Sequence, residues 1–178
     1  MEKPARPLLA AVFMTGAVMS FTLMAVAGRE IAGRHDTFEI MFYRSVLGIF
    51  FVLAAGGMAG TLGQIRTSRL PLHLLRNLSH FAGQNLWFYA LTLIPLAQLF
   101  AFEFTTPLWV ALLAPLVLGE RWRATRLLAA GLGFGGILIV ARPGMVEIGP
   151  GVIAAILCAW GFAGAILCTK RLSRHESV

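Results

Sequence analysis

Residues 96–118 read LAQLFAFEFTTPLWVALLAPLVL. These 23 residues hold a single charge, Glu103. At a helical rise of about 1.5 Å per residue the stretch is about 34 Å long, enough to cross a hydrocarbon core of about 30 Å. Its apolar residues do not alternate with polar ones as a barrel strand would require. In lipid the backbone must then satisfy its own hydrogen bonds, and a helix is the form that does so.

The neighbouring sequence repeats the pattern. Apolar runs at 8–27, 38–60 and 72–93 precede it, and 124–141 and 150–169 follow. The separators carry charge or a breaker: GREIAGRHD, TLGQIRTSRLP, the bare Ile94-Pro95, GERWRATR and RPGMVEIGP. The expected fold is all-α, a polytopic membrane helix bundle with six transmembrane helices.

Composition agrees. Of 178 residues, 58% are apolar and 13% charged, against about 45–50% and about 25% in soluble domains. A soluble enzyme and a disordered tail are both excluded, the latter because disorder needs low hydrophobicity. The net charge of +7 does not imply nucleic acid. The basic residues punctuate apolar runs instead of massing on one polar segment, and no aromatic–basic interleaving suited to single strands is present. Cys158 and Cys168 share one apolar run, about 15 Å apart on a helix, too far to bridge. They read as small hydrophobes, and no Cys/His cluster has metal-ligand spacing. No metal or cofactor is expected.

Lys3 and Arg6 before an apolar stretch, with Ala25-Val26-Ala27 after it, mimic a signal peptide. The stretch exceeds the usual apolar region of about 7–15 residues, so it is taken as a retained span. With a cytoplasmic N-terminus, the inner side holds Lys3, Arg6, Arg66, Arg69, Arg121, Arg123, Arg126, Lys170, Arg171 and Arg174. The outer side holds Arg29, Arg34 and Arg142. This asymmetry predicts both termini inside, with residues 1–7 and the basic tail 170–178 cytoplasmic.

Once direction is set, depth follows from helix rise. Arg44 lies about 9 Å below the outer end of the second run, and Glu103 about 10 Å below that of the fourth. Gln84 and Asn85 lie about 12–14 Å below the outer end of the third, and Ser20 about 10 Å below that of the first. Four helices thus place polar groups in one layer. An intramembrane charge costs about 2.5–3.5 kcal/mol on the insertion scale and usually marks a solute or proton route. Arg44 and Glu103 are expected to offset that cost by pairing, with Glu103 titrating during transport. The alternatives are a snorkelling Arg44 and a structural, hydrogen-bonded Glu103.

His73, Asn77, His80 and Gln84 recur at helical spacing and share one face, either a cavity lining or inter-helical glue. His80 is of the residue type that titrates near neutral pH. Thr105-Thr106-Pro107 predicts a kink. Pro107 has no N–H, so the carbonyl of Glu103 loses its donor, and broken helices line many transporter sites. Pro115 repeats this further along. Gly131 and Gly135, and the series Gly151, Ala155, Ala159 and Ala163, predict close helix packing. No nucleophile elbow, HExxH, P-loop or paired carboxylates occur, so no enzyme is expected.

The stretch FYALTLIPLAQLFAFEFTTPLWVALLAPLVLGERWRATRLLAAGLGFGGILIVARPG then carries a family likeness. It joins Tyr89-Ala90-Leu91 at a helix end, the turn at Pro95 and mid-helix Pro107. The Leu118-Gly119-Glu120-Arg121 loop and a glycine-rich helix ending in Arg142-Pro143-Gly144 complete the order. With Phe42-Tyr43-Arg44 upstream, this resembles the EamA domain of the drug/metabolite transporter superfamily. The resemblance implies a five-helix repeat over 8–141, with 150–169 similar to the first helix of a second, inverted repeat. It also implies a solute site between the repeats. The carboxylate that small multidrug members carry in their first helix has no counterpart here, and Glu120 is expected to fix a helix end.

The resemblance and the polar layer together predict a secondary transporter of small organic metabolites, amino-acid-like or drug-like. It is expected to be an exporter in the inner (plasma) membrane, with proton coupling left open. The partners expected are a small-molecule solute and the lipid bilayer, with a homodimer or a complementary repeat as options and no nucleic acid. The alternative is a truncated membrane protein that acts only by assembly with a partner.

Overall fold

The computed structural model describes residues 7–32, 34–64, 67–120, 124–141 and 148–174. Among them are seven α-helices: α1 (Pro7–Ile31), α2 (Thr37–Met58), α3 (Leu70–Leu93), α4 (Leu96–Glu103), α5 (Thr106–Leu118), α6 (Ala124–Ala141) and α7 (Pro150–Leu172). A short 3-10 turn, Leu62–Gln64, lies between α2 and α3. No strand occurs among the described residues, and the chain is an all-α membrane protein of the expected class. The six apolar runs correspond to α1, α2, α3, α4 with α5, α6 and α7.

Four segments are long and apolar enough to cross a membrane: Leu8–Ile31, Thr37–Met58, Leu96–Leu118 and Pro150–Leu172. Helix α3 has the length, 24 residues, but its row of Arg, His, Asn and Gln lowers its apolarity. Helix α6 contributes a shorter apolar stretch, Leu128–Ile139.

Local signals explain the boundaries. Asp36 caps α2, accepting from the Phe38 N–H at 2.7 Å, while Glu39 reaches back to the Asp36 N–H at 3.2 Å. That reciprocal box satisfies two amides that the first turn leaves unpaired. Helix α3 ends at Ile94 because Pro95 cannot continue it. The Arg29 guanidinium closes this end, donating to Leu91 O at 2.8 Å and also to Ile94 O, a cation placed where helix carbonyls point outward. Gly119 takes a left-handed φ of 65° and ends α5.

The fourth apolar run carries the interruption where the kink is expected. Helix α4 gives way to α5 at Phe104 and Thr105, both with right-handed helical backbone angles. Pro107, in the first turn of α5, withholds the donor that the Glu103 carbonyl needs. The Thr105 hydroxyl donates to Phe102 O at 2.6 Å and competes with the backbone ladder. Pro115, by contrast, stays inside α5 without ending it.

The core forms where α3 and α7 cross antiparallel. A Cβ on Gly161 would stand 2.9 Å from Gly83 Cα and from Ser79 O. A Cβ on Gly151 would stand 2.7 Å from Leu93 Cβ. The expected small-residue stripe Gly151, Ala155, Ala159 and Ala163 is fully buried here. The other stripe does not pack: a Cβ on Gly131 or Gly135 would meet nothing within 4 Å. Trp87, Phe88, Leu91, Leu99, Ala154, Ala155 and Cys158 fill the crossing, joined by Ala25 of α1 and Met41 of α2. Elsewhere α1 and α2 leave their apolar side chains uncovered, Phe13 at 70% and Phe51 at 65%, as a lipid-facing surface would.

Candidate functional site: a cavity between α3, α5 and α7

Beside that crossing, α3 and α7 flank a cavity of about 710 Å³, within the range of small-molecule sites. Helix α3 contributes Arg76, His80, Gln84, Trp87 and Phe88, which recur at helical spacing on one face. The α4–α5 break contributes Glu103, Phe104, Thr106 and Pro107. Phe162, Thr169 and Lys170 of α7, and Phe21 and Met24 of α1, complete much of the wall. From Trp87 to Arg76 the α3 face runs about 16 Å.

Glu103 sits where the broken helix meets α3. Its Oε2 accepts from Trp87 Nε1 at 2.7 Å. Trp87 is only 3% exposed, so its indole N–H needs a partner inside the protein, and this carboxylate supplies it. The expected Arg44–Glu103 pair does not form. Arg44 instead donates from Nη1 to Gln84 Oε1 at 2.8 Å. Position on the helix explains the difference. Arg44 extends from α2 to the Gln84 flank of α3, whereas Glu103 meets that helix at Trp87, about one turn further along. Because guanidinium can only donate, this contact fixes the amide with its oxygen toward Arg44, leaving both Gln84 Nε2 hydrogens for other acceptors.

The remaining candidates are dispersed. His80 lines the cavity, its ring 5.6 Å from that of Phe162. Asn77 is exposed beside the lining and accepts from Arg76 Nη1 at 3.0 Å. Asn85 donates to Phe81 O on its own helix at 2.9 Å, and its buried Oδ1 has no partner among the described residues. Ser20 is exposed on α1, one residue before the lining residue Phe21. His73 is half-buried near the start of α3, outside the lining. Thus His80, Gln84, Glu103 and Pro107 share one cavity, Arg44 touches it through Gln84, and Ser20, Asn77 and Asn85 do not line it.

Sequence reasoning missed Arg76, Trp87, Thr169 and Lys170. Arg76 precedes His80 by one helical turn, a spacing that could have found it. Its Nε donates to Thr169 Oγ1 at 3.3 Å, joining α3 to α7 at the end of the cavity opposite Glu103. At that end Lys170 pairs with Glu120 at 2.6 Å, and Arg174 bonds both Glu120, at 3.1 Å, and Leu118 O, at 3.2 Å. Glu120 therefore ties the end of α5 to the last turn of α7, as expected of a residue that fixes a helix end. Of the charges used for orientation, Lys3, Arg6, Arg66, Arg121, Arg123 and Arg142 lie outside the described residues, as does the side chain of Arg126.

Residues 8–142 match the EamA-like transporter family. The chain is 36% identical over 137 residues to a riboflavin transporter of Brucella anthropi, covering 77% of this chain and 48% of that protein. It is 29% identical over 157 residues to an S-adenosylmethionine uptake transporter of Rickettsia prowazekii, covering 86% and 52%. It is 28% identical over 163 residues to a pseudopaline exporter of Pseudomonas aeruginosa, covering 90% and 57%. The chain spans about half the length of these curated relatives. No solved structure matches it. With three quarters of its length matched and an all-helical membrane architecture in place, the chain belongs to the EamA-like transporter family, whose members are transporters and not enzymes.

Proposed function

We propose that this chain carries a small organic metabolite across the inner membrane as part of a secondary transporter, with the α3–α5–α7 cavity as the solute route. The observation that carries this is the cavity itself. Side chains that are costly in lipid, Glu103, Arg76 and Gln84, converge on about 710 Å³ between apolar helices. The helix break beside Glu103 supports the same reading, since interrupted helices supply polar backbone groups where a solute must be held. In this reading Glu103 is the coupling group and Arg44 positions Gln84. Export driven by the proton gradient is the direction proposed, with both termini cytoplasmic. Among relatives, the names span a riboflavin transporter, an uptake transporter and an exporter, which supports an organic metabolite as cargo.

A second reading is that the chain works only with a complementary half, either a second copy or another repeat. The chain's coverage of about half of its relatives favours it. One experiment serves both. Sealed vesicles bearing the protein are loaded with a metabolite mixture, and retention is followed with and without a proton gradient, for wild type and Glu103→Gln. Gradient-dependent loss of a specific solute, abolished in the variant, is the expected result. Equal retention in protein-bearing and empty vesicles would contradict independent transport.

A further inference from the structure

The two ends of the cavity differ in charge, and its wall is rich in aromatic rings. At one end stands Glu103, held by Trp87 at 2.7 Å. At the other stands Arg76, which among the described residues bonds neutral oxygens of Thr169 and Asn77. Among the described residues no carboxylate lies within ion-pair distance of its guanidinium. Lys170, close by, already has Glu120 at 2.6 Å. Beside Glu103, Phe88 and Phe104 join the Trp87 ring on the wall, which Phe21 and Phe162 extend. An unpaired guanidinium between apolar helices is costly, and a bidentate anion is the partner that offsets the cost best. Aromatic walls hold a flat ring with large contact area.

We propose that the cavity selects an organic anion, a planar ring body with a terminal phosphate or carboxylate, the anion on Arg76 and the ring among the phenylalanines. This rests on the reading of the cavity as the solute route and narrows it to a substrate class. Arg76 is then the specificity-determining residue, and Glu103 faces the ring's own hydrogen-bond donors.

Three flavins separate ring from anion: lumichrome has the ring alone, riboflavin adds a neutral tail, and riboflavin 5′-phosphate adds the anion. Binding of each to the purified chain in phosphatidylcholine nanodiscs is followed by flavin fluorescence at equilibrium. The phosphate form should bind about tenfold or more tightly than riboflavin. Arg76→Gln should erase that ratio, and Arg76→Lys, which keeps the charge, should retain a preference for the phosphate. Equal affinities in wild type, a ratio that survives Arg76→Gln, or no binding of any flavin would overturn the proposal. So would complete displacement of the phosphate form by a few per cent of phosphatidylglycerol, since the anion site would then belong to a lipid headgroup. No gradient is involved, so selective binding without transport would contradict the transport reading alone, and transport without anion selectivity would contradict this one alone.

Discussion

The α3–α7 crossing makes a sharp prediction for Gly161→Ala. The added Cβ would lie 2.9 Å from Ser79 O, 2.9 Å from Gly83 Cα and 3.0 Å from Gly83 N. All three are backbone atoms of a helix, so no side-chain rotation relieves them. Restoring ordinary contact, about 3.6 Å or more between non-bonded heavy atoms, moves the helices apart by roughly 0.7 Å. Overpacking of this kind costs about 1–3 kcal/mol. Gly131→Ala is the matched control, because its Cβ meets nothing and alanine gains about 1 kcal/mol of helix propensity. For a chain of this size 1 kcal/mol moves the melting temperature by about 2–4 °C. In detergent, with tryptophan fluorescence as the readout, Gly161→Ala should melt roughly 2–12 °C below Gly131→Ala, which shares that gain, and Gly131→Ala should melt at or above wild type. Because Phe162 follows Gly161 on the cavity wall, solute binding should weaken as well. A Gly161→Ala protein that melts with Gly131→Ala would refute the crossing as described.

Three further outcomes follow from single contacts. Trp87→Phe removes the donor to Glu103 and should cost about 1.5–3 kcal/mol, the range for hydrogen bonds to charged groups, seen as earlier melting. Glu103→Gln keeps an acceptor for the indole and should melt closer to wild type while losing transport, which separates structural from functional roles. Glu120→Gln loosens the last turn of α7 from α5, and these partly exposed pairs should contribute only about 0.5–1 kcal/mol, fading in high salt. Cys158 is fully buried, whereas Cys168 is partly exposed. A maleimide should therefore label Cys158→Ala protein readily and Cys168→Ala protein only after unfolding.

Much of the architecture was legible because it rests on one-dimensional signals. Apolar run length fixed six segments, and Pro95 marked the end of α3. The helix interruption was legible in place, since Pro107 announces the lost hydrogen bond. The stripes on α6 and α7 look equivalent in sequence, yet only that on α7 packs. Small residues permit close approach without naming the partner. Depth arithmetic put Arg44 and Glu103 level with each other, but depth says nothing about azimuth, and they meet different residues of α3. The Trp87–Glu103 contact joins separate helices, so no periodicity could reveal it. Arg76 was passed over as a charge inside a span, although its spacing of one turn to His80 and two turns to Gln84 placed it on the cavity face.

Transport by this route requires that water and solute reach the wall of α3 inside the membrane. In a protein lacking its own cysteines (Cys158→Ala, Cys168→Ala), Gln84→Cys faces the cavity, while Leu47→Cys sits on the uncovered surface of α2. Sealed vesicles of each are treated with a charged, membrane-impermeant thiosulfonate. Modification of Gln84→Cys within minutes, with Leu47→Cys untouched until detergent is added, is the predicted result. A Gln84→Cys thiol as inert as Leu47→Cys would contradict a solute route between α3, α5 and α7.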